Sequence, residues 1–260
     1  MTYSEKLSRM LCASLLAATL AGCAGPRTPG GIYDPYEAQN RKVHEFNRSV
    51  DKALLRPVSN AYGAVLPEPV RIGVGNFAEN LSIPGSVLND LLQLNIEDAL
   101  HNTVRFLVNT TVGLGGILDP ATKAGIEQRD SDFGETLHVW GFKEGAYVEL
   151  PFAGPSTTRD TVGMVVDIVT DPVAVLLPEP EKYVAPLAGM ASKIGDRYRF
   201  RTTVDSILYE SADGYAQARL LYLENRRFAL GSDTTAAPED SAATDVPDIY
   251  EGLYDDLVPQ

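Results

Sequence analysis

Apolar residues at helical spacing, interrupted by proline and glycine, run through most of this chain, and this pattern limits its fold more than any other feature. Val43, Phe46, Val50 and Leu54 recur at intervals of three and four residues, which places them on one face of a helix. One short segment, residues 146–150, resembles a strand. Because a sheet-based fold needs several strands, the sequence predicts a mostly α-helical protein.

Capping patterns indicate where several helices begin. Asn95, which acidic residues follow in the next turn, opens a helix, and Asp132 opens another. Residues 156–158, Ser-Thr-Thr, precede a third, and Asp34 before Pro35 indicates the start of the first helix. We further expect a short helix near residues 70–81 and two long amphipathic helices over residues 185–230.

The N-terminus has the composition of a signal peptide. Lys6 and Arg9 precede the mostly apolar residues 10–20, a run too short to span a bilayer. Residues 20–23, Leu-Ala-Gly-Cys, resemble the bacterial lipobox, whose cysteine is lipidated after cleavage; the alternative is an ordinary cleaved signal with a chance cysteine. We predict a signal peptide over residues 1–22, lipidation at Cys23 and, since Ala24 is not aspartate, the periplasmic side of the outer membrane.

Three segments follow the predicted signal peptide. Residues 23–32 are expected to form a tether, whose last nine residues reach roughly 30 Å at full stretch. Residues 33–230 form the predicted helical domain. Residues 231–260 carry eight Asp and Glu and no Lys or Arg, which is typical of a disordered acidic tail.

Charge and cysteine content exclude several classes of function. The formal net charge is −13, which argues against binding to nucleic acid, since that binding needs a basic surface. No cysteine follows Cys23, so the predicted domain has no disulfide, thiolate metal site or cysteine nucleophile.

Motifs for catalysis and for cofactor binding are incomplete. Residues 73–78 fit a loose Gly-x-Gly-x-x-Ala pattern but follow prolines instead of a buried strand. No Gly-x-Ser-x-Gly occurs, and His44, His101 and His138 are far apart in the sequence. We therefore predict no catalytic residue, no metal site and no cofactor.

One largely apolar segment, residues 161–177, has almost the length of a membrane-spanning helix. It contains Asp167, Asp171 and Pro172, and a charge at the middle of a bilayer costs about 2.5–3.5 kcal/mol. A single spanning helix is therefore not expected. A helix whose polar groups face a protein-lined cavity remains open.

An ordered set of short motifs between Tyr33 and Pro172 resembles the MlaA/VacJ family of outer-membrane phospholipid-transport lipoproteins. The motifs include Asp34-Pro35-Tyr36-Glu37, Asn40-Arg41, Phe46-Asn47, Arg56-Pro57-Val58, Asn76-Phe77, Asn80-Leu81, Arg105-Phe106 with Asn109-Thr110, Gly113-x-Gly115-Gly116 with Asp119, Phe133-Gly134 with Thr136-Leu137, Trp140-Gly141, and Gly154-Pro155-Ser156-Thr157 with Arg159-Asp160. Two positions depart from the family pattern: Ala146 replaces a usual proline, and Leu94 stands where glycine is common.

The resemblance implies a single ring-shaped helical domain in the inner leaflet of the outer membrane, with a central polar channel. Family members associate with trimeric porins and pass mislocalised outer-leaflet phospholipids to a soluble periplasmic carrier. They have no known catalytic activity. A polar lining replaces water around the headgroup, because transfer of a charged group into hydrocarbon without partners is strongly unfavourable.

Three charged residues and six others are candidates for the channel. Asp160 and Asp167 are seven residues apart and fall on one helical face, so we expect them, with Arg159, to line or brace the channel; simple capping and pairing is the alternative. Residues expected in a gate or hinge are Gly113, Gly115, Gly116, Gly125, Phe46 and Asn47. Helix termination by the glycines and core packing by Phe46 are the simpler interpretations.

Two other functions remain open on sequence grounds. A structural lipoprotein could scaffold porins or envelope machinery without transport. A lipid hydrolase is the weaker alternative, since Ser, His and Asp are available but form no motif.

Overall fold

A computed structural model describes residues 32–231 of the chain. The predicted signal peptide, Cys23 and the acidic tail beyond Gly231 lie outside these residues. The described fold is mostly helical, as predicted. The described residues divide after Leu223 into two compact units, and the second is the end of the last helix.

The described residues form eleven α-helices and one β-hairpin, with short helical turns between some of them. The helices are α1 (Glu37–Val50), α2 (Arg56–Val65), α3 (Glu68–Leu92), α4 (Ile96–Thr111), α5 (Pro120–Lys123), α6 (Phe133–Val139), α7 (Thr158–Thr170), α8 (Pro172–Leu176), α9 (Val184–Arg199), α10 (Arg201–Asp205) and α11 (Gly214–Ala229). The strands are β1 (Tyr147–Leu150) and β2 (Gly154–Thr157). Two π-helical turns, Asp51–Leu55 and Ser206–Glu210, follow α1 and α10, and a 3₁₀ turn, Glu181–Tyr183, precedes α9.

Local capping correctly predicted three helix starts. The Asn95 side chain accepts a hydrogen bond from the backbone N–H of Asp98, and Asp132 accepts one from Glu135. Thr157 does the same for the backbone N–H of Asp160 at the start of α7. Each bond satisfies one of the backbone donors that a helix leaves free in its first turn.

Two helix predictions were wrong because tertiary contacts outweighed local pattern. The expected short helix near residues 70–81 is the 25-residue α3, which continues through Pro84. It packs along α4 and α9, and these contacts stabilise it through a residue that ordinarily ends or kinks a helix. The first helix begins at Glu37, and Asp34 caps nothing there, because it accepts hydrogen bonds from Asn40 and Tyr215.

The C-terminal region contains more elements than the two long helices predicted over residues 185–230. Helices α9 and α11 are long, but α10 and a π-helical turn lie between them. The apolar segment 161–177 is divided at Asp171 into α7 and α8. Among residues 32–231, no helix is both long and apolar enough to cross a membrane.

The hairpin contains a second strand that the sequence did not predict. Strands β1 and β2 are antiparallel, with Leu150 opposite Gly154. Strand β2 contains Pro155 and lacks the pattern of β-forming residues that would predict a strand. Pairing with β1, rather than the composition of residues 154–157, therefore determines this strand.

Candidate functional site

The interior of the described chain is more polar than apolar. Seventeen polar or charged residues are buried, against nine apolar ones, of which four are alanine. Buried charged and amide side chains are uncommon in soluble proteins, where they need hydrogen-bond partners. Many large apolar side chains are exposed instead, so the usual distribution is reversed.

Helix α4 shows this reversal most clearly. Asn102, Arg105 and Asn109 follow one another at helical spacing and are at most 3% exposed. The opposite face carries an exposed set of side chains, here called the apolar stripe: Ile96, Leu100, Val104 and Leu107. Apolar spacing alone does not reveal the buried polar face, whereas the same helical period in Asn102, Arg105 and Asn109 indicates it.

The buried polar face binds the loop that follows α4. Arg105 donates hydrogen bonds to the backbone carbonyl of Ile126 at 2.5 Å and to the Asp119 carboxylate at 2.9 Å. Asn109 donates to the other oxygen of Asp119 at 3.0 Å. Burial opposes ionisation of Asp119, but hydrogen bonds from Thr122, Arg105 and Asn109 outweigh it and lower its pKa to about 2. Asp119 is therefore a fixed negative charge at neutral pH.

Helix α3 contributes a second row of buried polar residues. Asn80 donates to the Thr110 hydroxyl at 3.1 Å, and Asn102 donates to the Asp90 carboxylate at 2.9 Å, so both bonds join α3 to α4. Burial raises the pKa of Asp90 above its ordinary value. Among the described residues, Asn80 Oδ1 and Arg105 Nε are buried without a hydrogen-bond partner.

Glu79 is an exposed carboxylate whose surroundings are nevertheless partly desolvated. Desolvation raises its pKa, Arg105 opposes that rise, and Asp130, Asp119 and Asp196 add to it. The charges that act on Glu79 come from α4, α9 and the loops after α4, so Glu79 lies near those elements.

Asp167 joins three helices. Its carboxylate accepts a hydrogen bond from Asn89 of α3 at 2.9 Å and one from the backbone N–H of Phe133, the first residue of α6, at 3.0 Å. Thr136 of α6 donates to Asn89 at 3.0 Å, which closes the connection.

Arg159 and Asp160 are buried next to one another at the start of α7. Asp160 accepts hydrogen bonds from Thr157 and Tyr222, each at 2.8 Å, and from the Arg159 guanidinium at 3.1 Å. Arg159 also lies 3.4 Å from the His138 ring. The two residues are less than 10% exposed and are linked by an ion pair. Asp160 and Asp167 share α7, but each has its own set of partners.

One face of α1 holds the hairpin through polar side chains. Asn40 accepts from the backbone N–H of Glu149 and donates to the carbonyl of Tyr147, as a neighbouring strand would. Two turns later, Asn47 donates to the Leu150 carbonyl at 2.9 Å and accepts from the N–H of Phe152 at 2.8 Å. His44 lies between them, 3.3 Å from the buried Glu149 carboxylate. The sequence indicates Asn47 as a candidate gate residue, but no local pattern in it indicates that Asn40, His44 and Glu149 lie beside Asn47.

Phe46 packs on the tip of the hairpin and not in a core. Its ring meets that of Phe152 edge-to-face at 5.1 Å, and Phe46 is 42% exposed. Core packing, the simpler interpretation of Phe46, is therefore wrong.

The four candidate glycines lie in two turns. A Cβ at Gly113 would approach the Asn109 carbonyl to 2.3 Å, and one at Gly116 would approach the Asn80 side chain to 2.5 Å. Gly115, Gly116 and Gly125 have φ angles of 75°, 95° and 81°. These glycines end α4 and α5 and bring the loop against α3.

Potential metal ligands are dispersed in the part of the chain that the structure describes. No group of three or more His, Cys, Asp or Glu side chains there could hold a metal ion.

Comparison with known proteins places the chain among bacterial lipoproteins. A family model described as "MlaA lipoprotein" matches residues 32–229. The chain is 32% identical to the Escherichia coli K12 "intermembrane phospholipid transport system lipoprotein MlaA", over 92% of this chain and 96% of that protein. It is 35% identical to an uncharacterised Rickettsia felis protein, over 72% of this chain and 74% of that one.

A solved structure has a similar fold. It comes from work on the "structural basis for maintenance of bacterial outer membrane lipid asymmetry" and is 31% identical to this chain. The TM-score is 0.66, and the match covers 76% of this chain and 98% of that one.

Proposed function

Because the chain belongs to the MlaA lipoprotein family, we propose that it is an outer-membrane lipoprotein that removes mislocalised phospholipids from the outer leaflet. The lipids pass through a polar channel to a soluble periplasmic carrier, and this transport maintains the asymmetry of the membrane. The ring and channel that the family resemblance implies belong to this proposal. The activity needs no covalent step, so no catalytic residue is assigned.

The reversed distribution of polar and apolar residues is the observation that carries the proposal. A protein embedded in one leaflet needs an apolar outer surface, and a route for headgroups needs polar groups inside. Helix α4 meets both needs, with Asn102, Arg105 and Asn109 buried and the apolar stripe exposed.

The surface around Glu79 is the part of the route that we assign. Glu79 is exposed but partly desolvated, and Arg105, Asp119 and Asp196 act on it electrostatically. A headgroup there would meet charges of both signs. The acyl chains would stay along the exposed apolar faces.

Arg159, Asp160 and Asp167 are proposed to brace the channel and not to contact the lipid. Support comes from their hydrogen bonds, which use both Asp160 oxygens and connect Asp167 to α3 and α6. Gly113, Gly115, Gly116 and Gly125 remain candidate gate residues. Phe46 and Asn47 would act on the gate through the hairpin tip that they hold.

The segments and partners are part of the same proposal. Residues 1–22 would be cleaved, Cys23 lipidated, residues 23–32 would act as a tether to the domain of residues 33–230, and residues 231–260 would be an acidic tail. A trimeric outer-membrane porin and the periplasmic carrier would be the protein partners, with phospholipid as the substrate.

The amount of phospholipid on the cell surface tests the proposed function. Deletion should increase the phospholipid that a membrane-impermeant, amine-reactive reagent labels on intact cells, and the wild-type gene should restore it. Cys23→Ala should fail to restore it, whereas Cys12→Ala, which changes a cysteine inside the predicted signal peptide, should succeed. Equal labelling with and without the gene would contradict transport and leave the scaffold function.

A further inference from the structure

Two leucines at the ends of α4 have a backbone conformation that favours glycine. Leu94, between α3 and α4, has a φ of 60°, and Leu114, just after α4, has a φ of 56°. A branched side chain is strained at such angles, and glycine would hold the same turn without strain. Both leucines are nevertheless highly exposed, at 83% and 68%.

The two turns have the same hydrogen-bond geometry. The N–H of Asn95 bonds to the carbonyl of Asp90, and the N–H of Gly115 bonds to that of Thr110, so each leucine precedes a donor that reaches back five residues. This is the Schellman geometry, in which the left-handed position is usually glycine. Neither turn needs a leucine for its geometry, so both exposed side chains are available for contacts outside the described fold.

The surface between Leu100 and Leu114 carries no charge. Every exposed residue in this interval is Leu, Val or Thr. The hydroxyl of Thr111 donates to the Leu107 carbonyl at 2.6 Å, and that of Thr110 accepts from Asn80. Polar groups that are satisfied within the protein are what hydrocarbon requires, since no water is available there.

The opposite end of α4 has the character of a membrane interface. Arg129 forms ion pairs with Glu97 and Asp98 beside the first turn of the helix. Trp140 is 50% exposed and donates from its indole nitrogen to the Leu92 carbonyl at 3.2 Å, close to Leu94. Tryptophan beside charged groups is typical of the boundary between headgroups and acyl chains.

We propose that α4 enters the leaflet obliquely, with the Leu114 turn deepest in the hydrocarbon and the Leu94 end, with Trp140, at the headgroup boundary. Acyl chains would cover the apolar stripe and both leucines. This inference rests on the leaflet insertion in the proposed function, but it does not depend on transport.

The length of the predicted tether and the length of α4 both favour lipid as the partner that covers the apolar stripe. Cys23, if lipidated, lies only nine residues before Ile32, a reach of roughly 30 Å, so the start of the described fold stays close to the membrane. Helix α4 has 16 residues and is about 24 Å long, whereas one leaflet offers about 15 Å of hydrocarbon. With one end at the headgroups, the helix axis must therefore lie at least roughly 50° from the membrane normal.

Depth-dependent quenching tests the order of depths. The full-length lipidated protein would carry Leu94→Cys, Val104→Cys or Leu114→Cys, labelled with a fluorophore, in phosphatidylethanolamine–phosphatidylglycerol vesicles. Bromine near the headgroup should quench the label at residue 94 best, bromine near the terminal methyl should quench that at residue 114 best, and residue 104 should be intermediate. Equal depths, the reverse order, or no acyl-chain quenching at residue 114 would overturn the proposal.

Two further measurements separate anchoring from folding. Trp140, the single tryptophan, reports shallow quenching without any label in the unmodified protein. Leu114→Gly relieves the strained turn, so it should preserve or raise stability while it lowers vesicle partitioning of the full-length Cys23→Ala protein roughly ten- to hundredfold. Unchanged partitioning would overturn the role of Leu114, as would a photo-crosslinker at that position that captures protein instead of lipid. Surface-phospholipid labelling tests transport separately, and its failure would leave these depth results standing.

Discussion

At the scale of single residues, the buried polar groups are held by specific partners that determine their charge. Asp119 receives hydrogen bonds from Thr122, Arg105 and Asn109 and has a pKa of about 2. Asp213 has a similar pKa, also about 2, through an exposed bidentate pair with Arg41. The pKa is therefore lowered both at the partly buried Asp119 and at the exposed Asp213, and salt screens the exposed pair more strongly.

This difference predicts how Asp119 contributes to stability as pH changes. Its folded pKa lies below its ordinary value of 3.8, so its contribution is complete above about pH 4 and is lost as the pH falls towards 2. Asp119→Asn should lower the free energy of unfolding at pH 7, and the difference from wild type should shrink between pH 4 and pH 2. Denaturant unfolding at each pH measures it. Asp213→Asn is the control, whose smaller effect should largely vanish in high salt.

Asn47 fixes the hairpin through two hydrogen bonds to its backbone. Asn47→Ala removes both bonds to the turn and should cost about 1–3 kcal/mol in the free energy of unfolding, with faster hydrogen exchange at the amide of Phe152. Asn47→Asp keeps the acceptor, so it should retain protection of that amide. Equal exchange in the two variants would contradict the assigned role of the acceptor.

At the scale of elements, the sequence correctly predicted the three helix starts that local side-chain capping determines. The starts of α4, α6 and α7 depend on a side chain and a backbone group three residues apart, and all three were correct. The length of α3 and the existence of β2 depend on partners distant in sequence, and those predictions failed. Asp160, Asp167 and Asn47 stay predicted site residues; their partners Tyr222, Asn89 and Leu150 are distant in sequence, so only the tertiary structure reveals them.

Close packing of α6 against α7 gives a prediction at this scale. A Cβ at Gly163 would lie 2.3 Å from the backbone nitrogen of Gly134, which cannot move away as a side chain can. Gly163→Ala should therefore lower the free energy of unfolding by about 1–3 kcal/mol. Gly189→Ala in α9, where a Cβ meets nothing within 4 Å, should raise it by about 0.5–1 kcal/mol. Thermal unfolding measures both variants, and changes of the same sign in their free energies of unfolding would contradict this packing.

At the scale of the whole molecule, the reversed polarity unites the other observations. Seventeen buried polar residues and an exposed apolar stripe leave little ordinary apolar core among the described residues. Hydrogen bonds within the chain therefore take over part of the stabilising role of a core, and in the proposed function lipid outside the chain would cover the apolar surface. In the proposed function, the Glu79 surface would face the headgroup of a phospholipid, and the apolar stripe would face its acyl chains.

Site-specific crosslinking in whole cells tests this central claim most directly. A photo-crosslinking residue would replace Glu79 or Leu100 in complemented deletion strains, and mass spectrometry would identify the lipid atoms captured. We predict headgroup adducts at position 79 and acyl-chain adducts at position 100. Acyl-chain adducts at position 100 with no lipid at position 79 would contradict the account, because they would describe a membrane-embedded scaffold without a route for headgroups.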